Sequence, residues 1–107
     1  MLQKFTLRII LNANPLGRRI VEKGSYCRRF NLNNVDINRN WDFKFGQKIE
    51  MKDQENPGNK PFSEDETLHN LISVKNFKPL VFLSIHSGIF GLFLPYAFEA
   101  SNFNRSK

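Results

Sequence analysis

Cysteine and histidine are scarce in this sequence of 107 residues, and long apolar runs are absent from it. The single cysteine, Cys27, excludes an intramolecular disulfide framework and a multi-cysteine zinc site. No apolar run reaches the roughly 18–20 residues that span a bilayer. The longest candidate, Gly88 to Phe98, is interrupted by Pro95. Residues 1–10 have no sustained apolar stretch and no small-residue cleavage site, so we expect neither an export signal nor a membrane partner.

The composition is otherwise that of one small globular domain. Hydrophobic residues make up 40% of the chain and aromatic residues 13%, with phenylalanine alone occurring 11 times. Such a composition is not typical of a disordered tail. A chain of this length forms at most one domain with a modest core.

Positive charge is concentrated in the first part of the chain. Residues 1–48 contain ten lysines and arginines against three acidic residues, whereas the remainder is close to neutral. This asymmetry indicates either a solvated basic face or an anionic partner. The basic residues form no dense run, and no RNA-binding aromatic motif or finger spacing is present. We therefore predict no nucleic-acid partner and keep nucleic-acid binding as a minor alternative, for which strong, salt-dependent duplex binding would be the test.

Three apolar segments have the character of β-strands. Phe5 to Leu11 is rich in large and β-branched residues, and Leu80 to Ile85 is a nearly continuous apolar run of the kind buried on both faces of a sheet. Ile89 to Leu94 is a further candidate. The second of these segments leads directly into His86, at the strand end where ligands bind in α/β sheets. These segments predict an α/β fold with a partial mixed sheet and flanking helices.

Helical and irregular segments separate these candidate strands. Ser63 followed by Glu66 matches a capping box and predicts a helix from about Glu64 to Lys75. Residues 17–24 are too short to predict a helix, and residues 25–58 should be mostly loop. Residues 97–107 are polar, and we expect a frayed tail.

Four short motifs follow one another in a characteristic order. They are Asn14-Pro15-Leu16-Gly17-Arg18, then Arg29-Phe30-Asn31 with Val35-Asp36-Ile37-Asn38-Arg39-Asn40-Trp41-Asp42, then Asn56-Pro57-Gly58 with Pro61-Phe62-Ser63-Glu64, and Leu83-Ser84-Ile85-His86-Ser87-Gly88. In this order the sequence resembles the zinc carboxypeptidases of the peptidase M14 family, over residues of about 9–96. The resemblance implies that residues 1–107 are a partial catalytic domain of this family, with part of its mixed sheet.

The resemblance assigns substrate recognition to an adjacent pair, Asn38 and Arg39. A carboxypeptidase must bind a free C-terminal carboxylate, which a planar guanidinium grips through two parallel hydrogen bonds. Ser87 lies where the family contacts the substrate backbone. We therefore expect Asn38, Arg39 and Ser87 to bind the C-terminus of a peptide or protein.

A second arginine is expected to stabilise the oxyanion that forms on the scissile carbonyl. Counted back from Asp36, the family pattern places this arginine at Arg29, although Phe30 and Asn34 replace the usual lysine and glycine. Arg28 is the alternative if the loop is shifted by one residue.

His86 matches the third zinc ligand of the family, so zinc is the expected cofactor. The family's first two ligands come from a His-x-x-Glu motif, and a downstream glutamate acts as general base. Neither of the two histidines in these 107 residues begins a His-x-x-Glu motif, because His69 is followed by Asn-Leu-Ile and His86 by Ser-Gly-Ile. We expect a zinc-dependent hydrolase of C-terminal residues, with the chain inactive when alone. The alternative is a truncated, catalytically inactive or merely binding protein.

Overall fold

Two helices joined by long loops make up the described part of the chain in a computed structural model. The structure describes residues 4–46, 55–87 and 90–94. The first helix, α1, is Pro15–Glu22, and the second, α2, is Asp65–Phe77. In these ranges no helix is long and apolar enough to cross a membrane.

The prediction of a partial mixed β-sheet is wrong, because no strand forms within the described ranges. Phe5 to Leu11 and Leu80 to Ile85 are irregular, and so are residues 90–94; Ile89 lies outside the described residues. A β-strand requires a neighbour that pairs with its backbone N–H and C=O groups. An apolar, β-branched composition favours a sheet but does not supply that neighbour, and both segments expose their large side chains.

Helix α1 begins where an asparagine precedes a proline. The Asn14 side-chain Oδ1 accepts a hydrogen bond of 2.9 Å from the Gly17 backbone N–H, and Pro15 occupies the first helical turn. Arg18 and Glu22 form an exposed ion pair of 2.7 Å between Nε and Oε1, four residues apart. The Asn14 cap and Pro15 therefore stabilise α1, which the sequence analysis did not predict because the segment is short.

Helix α2 confirms the predicted helix but begins differently from the prediction. Glu64 is the N-cap residue and makes no side-chain capping bond, so the capping box predicted from Ser63 and Glu66 does not form. The Ser63 hydroxyl instead donates a 2.7 Å hydrogen bond to Oε1 of Glu64. The helix ends at Phe77, and the C-cap residue Lys78 adopts the left-handed conformation and donates its N–H to Val74 O.

The long loop predicted between residues 25 and 58 is confirmed for residues 25–46 and 55–58, which contain neither helix nor strand. The tail predicted at residues 97–107 lies outside the described residues. The buried positions of the described chain are mostly polar and lie in this loop or at the start of α2. They are Asn31, Val35, Asp36, Asn40, Glu64 and Thr67, together with Gly17 in α1.

Candidate carboxylate-binding site

The side chain of Asn40 joins the loop to the start of α2. Asn40 is fully buried, and its Oδ1 accepts hydrogen bonds from the Glu64 backbone N–H at 3.2 Å and from the Thr67 hydroxyl at 2.5 Å. Its amide nitrogen Nδ2 lies within hydrogen-bonding distance of three oxygens: Pro57 O at 2.8 Å, Lys60 O at 3.1 Å and Ser63 Oγ at 2.8 Å. We call these contacts the Asn40 junction.

A second connection runs through the carboxylate of Glu64. Asn31 and Asn33 both donate side-chain hydrogen bonds to its Oε2, at 2.7 and 2.8 Å, and Ser63 donates to Oε1. Burial acts to raise the pKa of Glu64, but the hydrogen bonds from Asn31, Ser63 and Asn33 outweigh it and hold the pKa below the ordinary value of 4.5. The Glu64 carboxylate is therefore a charged clamp between the loop and α2.

The two residues predicted to bind a C-terminal carboxylate are on one tight turn. Asp36 is buried, and its Oδ1 accepts a 3.0 Å hydrogen bond from the Asn38 backbone N–H, while its carbonyl accepts a 2.8 Å bond from the Arg39 N–H. The Asp36 N–H in turn donates to Asn56 O at 2.7 Å. This Asp36 turn is anchored from both sides, and it leaves Asn38 and Arg39 exposed.

Arg29 is attached to the same turn. Its Nε donates a 2.6 Å hydrogen bond to Oδ2 of Asp36, and 39% of its side chain remains exposed. The Asp36 carboxylate thus connects the predicted oxyanion-stabilising arginine with the predicted carboxylate-binding pair. Sequence reasoning gave Asp36 no role, although its place in the Val-Asp-Ile-Asn-Arg-Asn-Trp-Asp motif was a signal.

Arg28, the alternative to Arg29, contacts the loop itself. Its Nη2 donates to Asn31 O at 2.6 Å and to Asn34 Oδ1 at 3.1 Å. Its Nε is buried and has no hydrogen-bond partner in the described part of the protein. Arg28 therefore supports the loop that positions Arg29 and Asp36.

The guanidinium of Arg39 contacts a carboxylate of the chain. Its Nη2 donates a 2.6 Å hydrogen bond to Oε1 of Glu55, and its Nη1 lies 3.4 Å from Asn38 O. Glu55 lies 16 residues along the chain and outside every motif that the sequence offered, so no local signal could have found it.

His86 and Ser87 are both exposed and lie apart from these contacts in the hydrogen-bond network. The Nε2 of His86 is 2.9 Å from the Ser84 hydroxyl. Across residues 4–46, 55–87 and 90–94, no group of three or more His, Cys, Asp and Glu side chains could hold a metal ion. Because catalytic zinc needs three protein ligands, the described residues do not by themselves fit a zinc site.

Ser87 lies instead at an open pocket of about 420 Å³ against the start of α1. Arg28 also lines this pocket, so the structure brings together one predicted substrate contact and the alternative oxyanion arginine. The other lining residues are Asn12, Asn14, Gly17, Arg18, Val21, Glu22 and Tyr26. His86, Asn38 and Arg39 are not among them.

The family model described as zinc carboxypeptidase matches residues 1–107 of the chain. No curated protein and no solved structure matches it.

Proposed function

Because the chain belongs to the zinc carboxypeptidase family, we propose that it serves the hydrolysis of C-terminal residues from peptides or proteins, and that its own part is recognition of the terminal carboxylate. Asn38 and Arg39 bind that carboxylate in this proposal. Arg29 stabilises the oxyanion, and Ser87 contacts the substrate backbone.

The Asp36 turn is the observation that carries the proposal. The backbone N–H groups of Asn38 and Arg39 both donate hydrogen bonds to Asp36, which hold the backbone of these two residues in the turn. The Arg39 side chain is 40% exposed, so a ligand can reach it. An arginine whose backbone is held by hydrogen bonds loses less conformational entropy when it binds a carboxylate than one on a freely moving loop. A rigid turn with an exposed amide and guanidinium supports a carboxylate-binding role.

His86 is proposed as one zinc ligand, since zinc supplies the family's hydrolytic chemistry by lowering the pKa of a bound water. The remaining ligands do not come from the described residues. A second candidate function follows from the contrast between the carboxylate-binding turn and the incomplete set of zinc ligands. The chain offers a supported carboxylate-binding turn without a complete donor set among its described residues, which favours a binding protein without catalysis as the alternative.

Binding of matched peptides tests the recognition step. We expect the chain to bind an acetylated tripeptide with a free C-terminus more tightly than the same tripeptide with a C-terminal amide, measured by isothermal titration calorimetry. Arg39→Gln should weaken binding of the free acid by about tenfold or more, because a charge-assisted contact contributes about 1.5–3 kcal/mol. Arg19→Gln, an exposed arginine on α1, is the control. Unchanged discrimination in Arg39→Gln would refute the role of Arg39.

Hydrolysis distinguishes the two candidate functions. The chain is incubated with the free-acid peptide and zinc, and loss of the C-terminal residue is followed by mass spectrometry. Release of that residue that depends on zinc and on His86 supports the enzyme. Binding of the free acid without release supports carboxylate recognition, without catalysis, as the contribution of these residues on their own.

A further inference from the structure

The guanidinium proposed to receive the terminal carboxylate already contacts a carboxylate of the same chain. Arg39 Nη2 and Glu55 Oε1 are 2.6 Å apart, which is the short distance of a charge-assisted hydrogen bond. The Glu55 side chain is 24% exposed, so water reaches part of it. Glu55 thus has the charge and the hydrogen-bonding atoms of a C-terminal carboxylate, and it occupies the place proposed for one.

We propose that Glu55 is an internal competitor that sets the affinity of Arg39 for free C-termini. The inference rests on the proposed function, since it concerns the same guanidinium. In this arrangement the incoming carboxylate displaces Glu55 from Nη2, and Glu55 returns when the ligand leaves.

The two carboxylates compete for the same nitrogen of the guanidinium. A carboxylate gripped by arginine through two bonds uses two parallel N–H donors of the guanidinium fork. In Arg39 one terminal nitrogen donates to Glu55 and the other faces Asn38 O. A ligand that takes the Nη2 N–H used by Glu55 removes the bond to Glu55, and a ligand that takes the second N–H of Nη2 brings its carboxylate next to that of Glu55. Leaving both carboxylates at one guanidinium would place two negative charges side by side, which is unfavourable.

The exposure of the pair indicates that displacement costs little. Ion pairs that water reaches contribute weakly, because the solvent screens the charges and two side chains must be ordered. Arg39 is the more exposed partner, at 40% against 24% for Glu55. Removing the competition should therefore raise the affinity for a free C-terminus by about twofold to fivefold.

A positioning role for Glu55 predicts the opposite result. If the carboxylate only orients Arg39 toward the ligand, then removing its charge leaves the guanidinium less ordered, and the affinity falls. The sign of the change in affinity thus separates competition from positioning.

Glu55→Gln tests the proposal in the full chain, because the amide keeps the size and one acceptor oxygen but removes the charge. We expect binding of the free-acid tripeptide to tighten by about twofold to fivefold, with no gain for the C-terminal amide. Glu55→Ala is a second variant that should shift affinity in the same direction. Asp65→Asn, an exposed acidic residue in the first turn of α2, removes one negative charge elsewhere and should leave both affinities unchanged.

Arg39→Gln makes the two possible failures distinguishable. If Arg39→Gln weakens free-acid binding while both Glu55 variants leave it unchanged or weaken it, the competition is refuted and carboxylate recognition stands. If Arg39→Gln has no effect on free-acid binding, the proposed recognition itself fails, and the competition fails with it.

Discussion

Two regions of the described chain differ from the usual pattern, in which apolar side chains are buried and polar side chains are exposed. The Asn40 junction and the Asp36 turn bury amide and carboxylate side chains, which find hydrogen-bond partners there. Residues 5–11 and 80–85 are mostly apolar and are exposed throughout. The comparison shows that burial in the described part of the chain follows hydrogen-bond complementarity between loops and a helix end, more than the distribution of apolar residues.

The amide group explains why the most deeply buried side chains include two asparagines, Asn31 and Asn40. One asparagine side chain has two donor hydrogens and an acceptor oxygen, so it can satisfy several backbone groups that a loop leaves unpaired. Apolar side chains are stabilised only by contact with other apolar surface. Of the large hydrophobic residues, Val35 alone is buried within the described ranges.

The largest loss of stability is expected at Asn40, whose fully buried side chain forms hydrogen bonds with both the loop and the start of α2. Asn40→Ala removes the contacts of the Asn40 junction and leaves the Glu64 N–H without its acceptor, so it should lower the free energy of unfolding by about 3 kcal/mol. Urea unfolding measures this loss. Asn59→Ala, at an exposed position, is the matched control and should change stability by less than about 0.5 kcal/mol. Equal effects of the two substitutions would contradict the importance of the junction.

Gly58 tests the close approach of the backbone to the same junction. Gly58 has a φ of +85°, and a Cβ there would lie 2.7 Å from Ser63 Oγ and 2.9 Å from Asn40 Nδ2. Gly58→Ala should destabilise the chain by about 2 kcal/mol, from backbone strain and this overlap together.

Gly24→Ala separates the two causes, because Gly24 also has a positive φ, +113°, but its Cβ would meet nothing within 4 Å. It should cost about 1 kcal/mol from strain alone. Thermal unfolding of both variants gives the difference, and a loss at Gly24 as large as that at Gly58 would remove the contribution of the junction.

The Glu64 carboxylate makes the stability of the folded chain dependent on pH. Its pKa in the folded chain is below the ordinary value of 4.5, so its contribution is fully present above that value and is lost as the pH falls through the lowered folded pKa. Urea unfolding between pH 7 and pH 3 should show this progressive loss. Glu64→Gln should be less stable at pH 7 and should lose part of the dependence below pH 4.5. An identical pH profile for the two proteins would contradict the clamp.

The smallest effect is expected in the apolar segments. Leu80 is fully exposed, so Leu80→Ser should change the free energy of unfolding by less than about 0.5 kcal/mol. Val35→Ala is the buried comparison, and loss of two methyl groups there should cost about 2 kcal/mol. If Leu80→Ser destabilised the chain as much as Val35→Ala, the contrast between the two regions would not hold.

The sequence predicted local structure better than pairing. Helix α2 was found within one residue at its start and two at its end, because its residues carry helical periodicity and acidic residues in the first turn. Helix α1 was missed although Asn14-Pro15 is a recognisable start signal. The sheet was predicted wrongly because strand pairing depends on a distant segment, which no local pattern contains.

For the candidate site, the sequence likewise predicted individual residues but not the contacts that hold them. Asn38, Arg39, Arg29, Ser87 and His86 came from motifs, and their roles stay predictions until the experiments above are done. The contacts that hold the Arg29 and Arg39 side chains did not come from motifs, because each joins positions whose proximity depends on how the loop closes. The bonds from Arg29 to Asp36 and from Arg39 to Glu55 span 7 and 16 residues.

The two oxygens of Asp36 have a genetic consequence. One accepts from the Arg29 side chain and the other from the Asn38 backbone N–H, which every residue except proline would keep at position 38. Effects of substitutions at two positions in direct contact do not add. A double-mutant cycle between Arg29 and Asp36 should thus show epistasis, whereas substitutions of Arg29 and of the Asn38 side chain should combine additively with respect to this carboxylate.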